Sequence, residues 1–123
     1  AASFDVSVPP THLDAYVAQL ESRLKAIDPT YAAYVYGHIA DGNLHLTLIR
    51  RGPLPQDELR AVEDAVYTGI REAGGSFSAE HGVGLEKRYG YETFTSPAKR
   101  ALARTLKQAL DPKGMFNPGK VPF

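Results

Sequence analysis

At 123 residues with 43% hydrophobic content, the chain has the length of one domain and enough apolar material for a core between a small sheet and a helix layer. Fourteen basic residues balance fourteen acidic ones, so no overall cationic field exists to hold nucleic acid or an anionic membrane surface, and neither is expected as a partner. Cysteine is absent, which excludes disulfides, thiolate metal sites and thiol catalysis, and no run approaches the roughly eighteen apolar residues of a membrane span.

The chain opens at Ala1 without an initiator methionine; an excised fragment and simple methionine removal are equally compatible with that start, and nothing there reads as a signal peptide. Phe4, Val6 and Val8 alternate with Ser3, Asp5 and Ser7, which predicts a half-buried strand ended by Pro9-Pro10. Thr11 with Asp14 resembles a capping box, and Leu13, Tyr16, Val17, Leu20 and Leu24 predict a helix up to Asp28-Pro29. YAAYVYGHI and NLHLTLIR predict two strands joined through Asp41-Gly42, a dipeptide suited to the positive backbone angles of a tight turn. Leu59, Val62, Val66 and Ile70 predict a second helix closed by Gly74-Gly75, and SFSAE predicts a fourth strand. Ser96 as cap and Pro97 as first helical residue open a third helix through Leu102, Leu106 and Leu110 to Asp111-Pro112, followed by an irregular tail, GMFNPGKVPF. The order strand, helix, strand, strand, helix, strand predicts an α+β fold. The arrangement it predicts is a ferredoxin-like split βαββαβ antiparallel sheet with helices on one face, plus a C-terminal helix and tail, expected as a single domain over residues 1–123.

A two-residue turn at Asp41-Gly42 sets Ala40 against Asn43, Ile39 against Leu44 and His38 against His45. Opposed β-carbons lie about 4.5 to 5.5 Å apart, close enough for both imidazoles to reach one ion. Val35, Gly37, Ile39, Leu44, Leu46 and Leu48 then form an apolar wall, while Tyr34, Tyr36 and Thr47 share the histidine side. Glu80 alternates in phase with Ser76 and Ser78, so it joins the polar face as the carboxylate of a His38, His45, Glu80 set for zinc or a similar divalent metal. Three protein ligands leave a position open for water or substrate. The same spacing fits an exposed histidine pair beside two tyrosines, with Glu80 a surface acid. Gly82 and Gly84 lack the third glycine of a dinucleotide fingerprint; a sharp turn or a close backbone approach after His81 is the expected reason for them.

GHIADGNLH, SAEHGVGLEKR and DPKGMFNPGK together resemble the C-terminal part of the FAD-linked oxidases of the vanillyl-alcohol oxidase superfamily. The nearest branch contains D-lactate dehydrogenase, the glycolate oxidase D subunit and D-2-hydroxyglutarate dehydrogenase, and SFSAEHGVG most resembles the last. The resemblance implies that His38, His45 and Glu80 hold a divalent metal, commonly zinc, and that His81 is the catalytic base that also meets the substrate. A 2-hydroxy acid would lose its hydroxyl proton to His81 and its α-hydride to flavin, giving a 2-oxo acid. Asn117, in FNPGK, is implied to face the cofactor domain. Two positions depart from the pattern: Ala40 replaces the usual glycine before Asp41, and Thr47 stands where a substrate-contacting asparagine is common.

The family's FAD-binding domain lies N-terminal to this region. The chain is therefore expected to be the substrate- and metal-binding piece of a larger oxidoreductase, inactive alone. Its partners would be the flavin domain of the same parent chain and an electron acceptor that the sequence does not name, and its uncovered histidine face would be free to self-associate. A cytoplasmic location is the default expectation. Two other readings compete. One is a stand-alone ferredoxin-like module binding a metal or ligand for regulation; the other is a metal-dependent hydrolase using the His, His, Glu set to activate water.

Overall fold

The computed structural model describes residues 1–121, which fall into two compact units, Ala1–His81 and the segment from Gly82 onward. The first unit carries an antiparallel three-stranded sheet, β1 (Ala2–Ser7), β2 (Ala32–His38) and β3 (Asn43–Ile49), with β3 in the centre and the order β1-β3-β2. Helices α1 (Leu13–Ile27) and α2 (Leu59–Tyr67) supply the other layer of its core. Val6, Leu44, Leu46 and Leu48 are buried on one face of the sheet, and Tyr16, Leu20 and Leu24 of α1 with Val62 and Val66 of α2 complete the core. Burying one such leucine or valine contributes about 1.5–3 kcal/mol. The Tyr16 hydroxyl donates to the Val66 carbonyl at 2.9 Å, joining the two helices, and its burial pushes the phenol pKa upward.

The hairpin differs from its sequence expectation. His38 pairs with Asn43, Tyr36 with His45 and Tyr34 with Thr47, so His38 and His45 are not opposed. The connection is a 3₁₀ turn over Ile39–Asp41 followed by Gly42, and of the Asp41-Gly42 pair only Gly42 takes a positive φ, 71°. Asp41 instead accepts the Asn43 amide through Oδ1 at 3.1 Å, an Asx-type closure that lengthens the loop. The register moves by two residues, which leaves the paired side chains of β2 and β3 on their expected faces, but Ile39, expected in the apolar wall, falls in the turn and is exposed.

Three other expectations change. Thr11 and Asp14 form no capping box: Pro9 and Pro10 favour a 3₁₀ turn over Pro10–His12, and the His12 amide bonds back to the Pro9 carbonyl at 2.8 Å. Helix α2 ends at Tyr67, and a run of turns carries the chain past buried Ile70 to Gly74-Gly75. SFSAE is not a fourth strand but is reduced to one antiparallel bridge between Ser7 and Ser76, on the free edge of β1. The described fold is thus α+β with three strands.

The second unit contains α3 (Arg88–Phe94) and α4 (Pro97–Leu110). Ser96 caps α4 by accepting the Lys99 amide, Pro97 occupies the first helical position, and the helix stops at Leu110, as its sequence predicts. Helix α3 was not expected, since Gly90 and Thr93 are weak helix formers; an Arg88–Glu92 pair at 2.9 Å supports it one turn apart. Beyond α4, Asp111 accepts the amides of Met115 and Phe116 at 2.9 Å each and gathers the tail into turns. The last two tail residues lie outside the described residues.

Candidate functional site

The face of the sheet away from the helices carries three cross-strand rows. Ser3, Thr47 and Tyr34 form one; Asp5, His45 and Tyr36 the next; Ser7, Asn43 and His38 the third. His45 therefore sits at the centre of the middle row, between a carboxylate and an aromatic ring. The Tyr36 ring stacks on the imidazole, with centroids 5.6 Å apart and planes at 30°.

Glu80 and His81 reach this row from the segment that follows the Ser76 bridge. Phe77 turns toward the helix side and meets Tyr67 edge-on at 5.6 Å, while Glu80 turns to the polar face, in the phase expected from the sequence. Glu80 Oε1 lies 3.1 Å from His45 Nε2 and 3.8 Å from His81 Nε2. Candidate ligand atoms of His45, Glu80 and His81 all lie within 4.8 Å of one another. His38 stands one row along the same face, diagonal to His45, a relation that spans about 7–8 Å between neighbouring strands. The structure thus brings together two of the three expected ligands and the expected base, with His38 at the margin.

Asp5 was not singled out by its sequence pattern, where it reads as one more polar residue of an alternating strand. Its side chain is 1% exposed, and a carboxylate at such a depth needs compensating donors. It has them: Oδ2 accepts the peptide N–H groups of Glu80 at 2.8 Å and His81 at 3.1 Å, and Oδ1 lies 3.2 Å from His81 Nδ1. These bonds explain the missing fourth strand. The Ala79 amide still bonds to the Asp5 carbonyl at 3.3 Å, but the next two amides turn to the Asp5 side chain, and the chain leaves the sheet edge there. Only an acidic residue beside an apolar run hints at this role, a signal too common to act on.

Thr47 lies beside His45 in the neighbouring row and is partly buried. Asn117 stands in a left-handed turn with φ 47° and accepts the Lys120 amide through its carbonyl at 3.0 Å. Gly82 and Gly84 take φ of 73° and 55°, the left-handed region that favours glycine, as a sharp turn after His81 requires.

Two imidazoles and a carboxylate are donors of the kind that can hold a divalent ion, here with His81 in the place that the sequence expectation gave to His38. The family of FAD linked oxidases, C-terminal domain, matches residues 1–121. The chain belongs to that family. It is similar to D-2-hydroxyglutarate dehydrogenase of Stutzerimonas stutzeri, 34% identical over 121 residues, which cover 95% of this chain and 26% of that protein. The mitochondrial D-2-hydroxyglutarate dehydrogenase of Rattus norvegicus is 40% identical over 118 residues, covering 95% of this chain and 21% of the relative. An uncharacterized FAD-linked oxidoreductase of Mycobacterium tuberculosis is 32% identical over 117 residues, covering 95% and 24%. This member of the family thus spans about a quarter of the length of the curated relatives it matches. No helix among its described residues is long and apolar enough to cross a membrane.

Proposed function

We propose that the chain is the substrate-side domain of an FAD-dependent dehydrogenase that converts a D-2-hydroxy acid into a 2-oxo acid. The observation that carries this reading is the convergence of His45, Glu80 and His81 at the middle row of the polar face, on a chain of the FAD-linked oxidase family. The relatives' names make D-2-hydroxyglutarate the first substrate to test.

His45 and Glu80 are the metal ligands in this reading, and His38 closes the set from its diagonal position, which long imidazoles can bridge. A divalent metal held there would supply a Lewis acid for the substrate's carboxylate and α-hydroxyl. His81, 62% exposed where His45 is only 26%, is reachable by a substrate hydroxyl and takes its proton at Nε2, since Nδ1 is turned to Asp5. FAD, held by a further domain of the parent chain, supplies the hydride acceptor. Thr47 contacts the substrate from the neighbouring row, and Asn117 faces the cofactor domain. The short distance between Glu80 and His81 supports a second assignment, with His81 as third ligand in place of His38.

Calorimetric titration of the metal-stripped chain with zinc and cobalt tests the ligand set. Binding lost in His45→Ala and Glu80→Ala is expected of both assignments; loss in His38→Ala but not His81→Ala selects the first. The parent flavoprotein tests the reaction. Anaerobic D-2-hydroxyglutarate should bleach the flavin, and His81→Gln should slow bleaching by about 10²- to 10⁴-fold. Unimpaired flavin reduction in that variant removes His81 as the base.

The same proposal extends to the setting of the domain. The Ser76–Glu80 segment is read as the remnant of the fourth strand of a ferredoxin-like arrangement, supported by its bridge to the free edge of β1. Tyr34 and Tyr36, 60% and 59% exposed on the polar face, offer a surface through which the isolated chain self-associates, measurable by sedimentation. A cytoplasmic setting is tested by fractionation against the mitochondrial naming of the rat relative.

A further inference from the structure

We infer that Asp5 is a positioning residue that fixes the tautomer of His81, holding the proton on Nδ1 and presenting the Nε2 lone pair to the cluster. The inference deepens the proposed function and rests on it for the use made of Nε2, but the geometry is independent of any substrate. Asp5 Oδ1 lies 3.2 Å from His81 Nδ1, and an ionised carboxylate can only accept, so the ring nitrogen facing it must donate. With the proton on Nδ1, a neutral ring carries its lone pair on Nε2, the nitrogen 3.8 Å from Glu80 Oε1.

Asp5 is itself immobilised. Oδ2 accepts the amides of Glu80 and His81, Asp5 Cα pairs with His45 in the sheet register, and the side chain is 1% exposed. One buried carboxylate therefore sets the backbone turn at Glu80-His81 and the orientation of the His81 ring together. Such outer partners of histidine select which nitrogen is free for chemistry.

This arrangement makes Asp5→Asn a sharper probe than Asp5→Ala. In asparagine one oxygen becomes an NH₂ group. The two peptide donors at the Oδ2 position require the remaining oxygen, because placing NH₂ there would leave two amides without an acceptor at about 1–3 kcal/mol each. The NH₂ group must then point at His81 Nδ1, which can meet it only as an acceptor, and the proton moves to Nε2.

The test is ¹⁵N NMR of the 123-residue chain, metal-stripped and at a pH where the imidazoles are neutral, with His81 assigned through its loss in His81→Gln. In wild type, Nδ1 of His81 should resonate as a protonated nitrogen and Nε2 as an unprotonated one. In Asp5→Asn the two assignments should exchange while the backbone amide spectrum away from residues 78–82 stays in place. A wild-type His81 with its proton on Nε2, or an even mixture, overturns the inference without reference to any variant, so it stays decidable if Asp5→Asn does not fold. A folded Asp5→Asn protein whose His81 remains protonated on Nδ1 overturns it as well. No turnover is involved, so the two claims separate: an Nδ1–H ring in a parent enzyme whose His81→Gln variant still reduces flavin would strike the base role and leave the Asp5 lock standing.

Discussion

Replacing Gly42 by alanine tests how the hairpin is tied to the sheet edge beside the candidate site. Gly42 holds φ 71°, and its carbonyl accepts the Val8 amide at 2.9 Å, fastening the hairpin loop to the end of β1. A Cβ at this position falls onto the Val8 carbonyl oxygen and lies 3.0 Å from the Val8 carbonyl carbon. The left-handed conformation costs an L-residue about 1–2 kcal/mol. Relieving the overlap separates the two segments and loses a hydrogen bond of about 0.5–1.5 kcal/mol. Stiffening of the unfolded chain returns about 0.4–1 kcal/mol. The net loss is about 2 kcal/mol, or roughly 8 °C in Tm for a chain of this size. Gly52→Ala is the matched comparison: its φ is 82°, but nothing lies within 4 Å of the new Cβ. It should lose only about 1 kcal/mol, the conformational cost less the unfolded-state gain. Urea denaturation followed by tyrosine fluorescence reads both variants. Equal losses would refute the contact between Gly42 and Val8 as a separate source of stability.

Leu46→Ala should destabilise the first unit by about 2–5 kcal/mol in the same assay, because the central strand buries this side chain completely and alanine leaves a cavity. Tyr36→Ala should weaken cobalt binding by a few fold in a spectroscopic titration, since the stacked ring that orients His45 is lost while no proposed ligand is removed. Hydrogen bonds from Thr30, and then the Arg50 guanidinium, lower the Asp28 carboxyl from 3.8 to about 2. A lowered folded pKa stabilises the protein above the unfolded value and loses that contribution as pH falls through the folded one. Melting curves of wild type and Asp28→Asn should therefore differ above about pH 4 and converge toward pH 2. Asp111, lowered to about 2 by Lys107 and by the Phe116 and Met115 amides, follows the same sign. In Asp111→Asn, amide exchange at Met115 and Phe116 should become faster at neutral pH and match wild type at acid pH.

Period-two alternation in β1, β2 and β3 was enough to assign faces: Val6, Leu44, Leu46 and Leu48 went inward, and His45, Thr47 and Tyr36 outward, as the sequence predicts. The phase of Glu80 against Phe77 was legible for the same reason, even though no strand forms there. Register was not legible, because alternation is blind to a shift of two residues; the Ile39–Asp41 3₁₀ turn decided it and put Tyr36, not His38, across from His45. The helix at Ser96-Pro97 could be read from its cap, a local signal, whereas α3 lacked one.

The sequence alone determined which residue types share the polar face and, through three motifs, the family to which the chain belongs. Only the tertiary structure decided that Asp5 serves Glu80 and His81, residues more than seventy positions away. A buried carboxylate is recognised by the donors around it, and those donors are backbone amides, which every residue but proline carries and which no side-chain pattern reports.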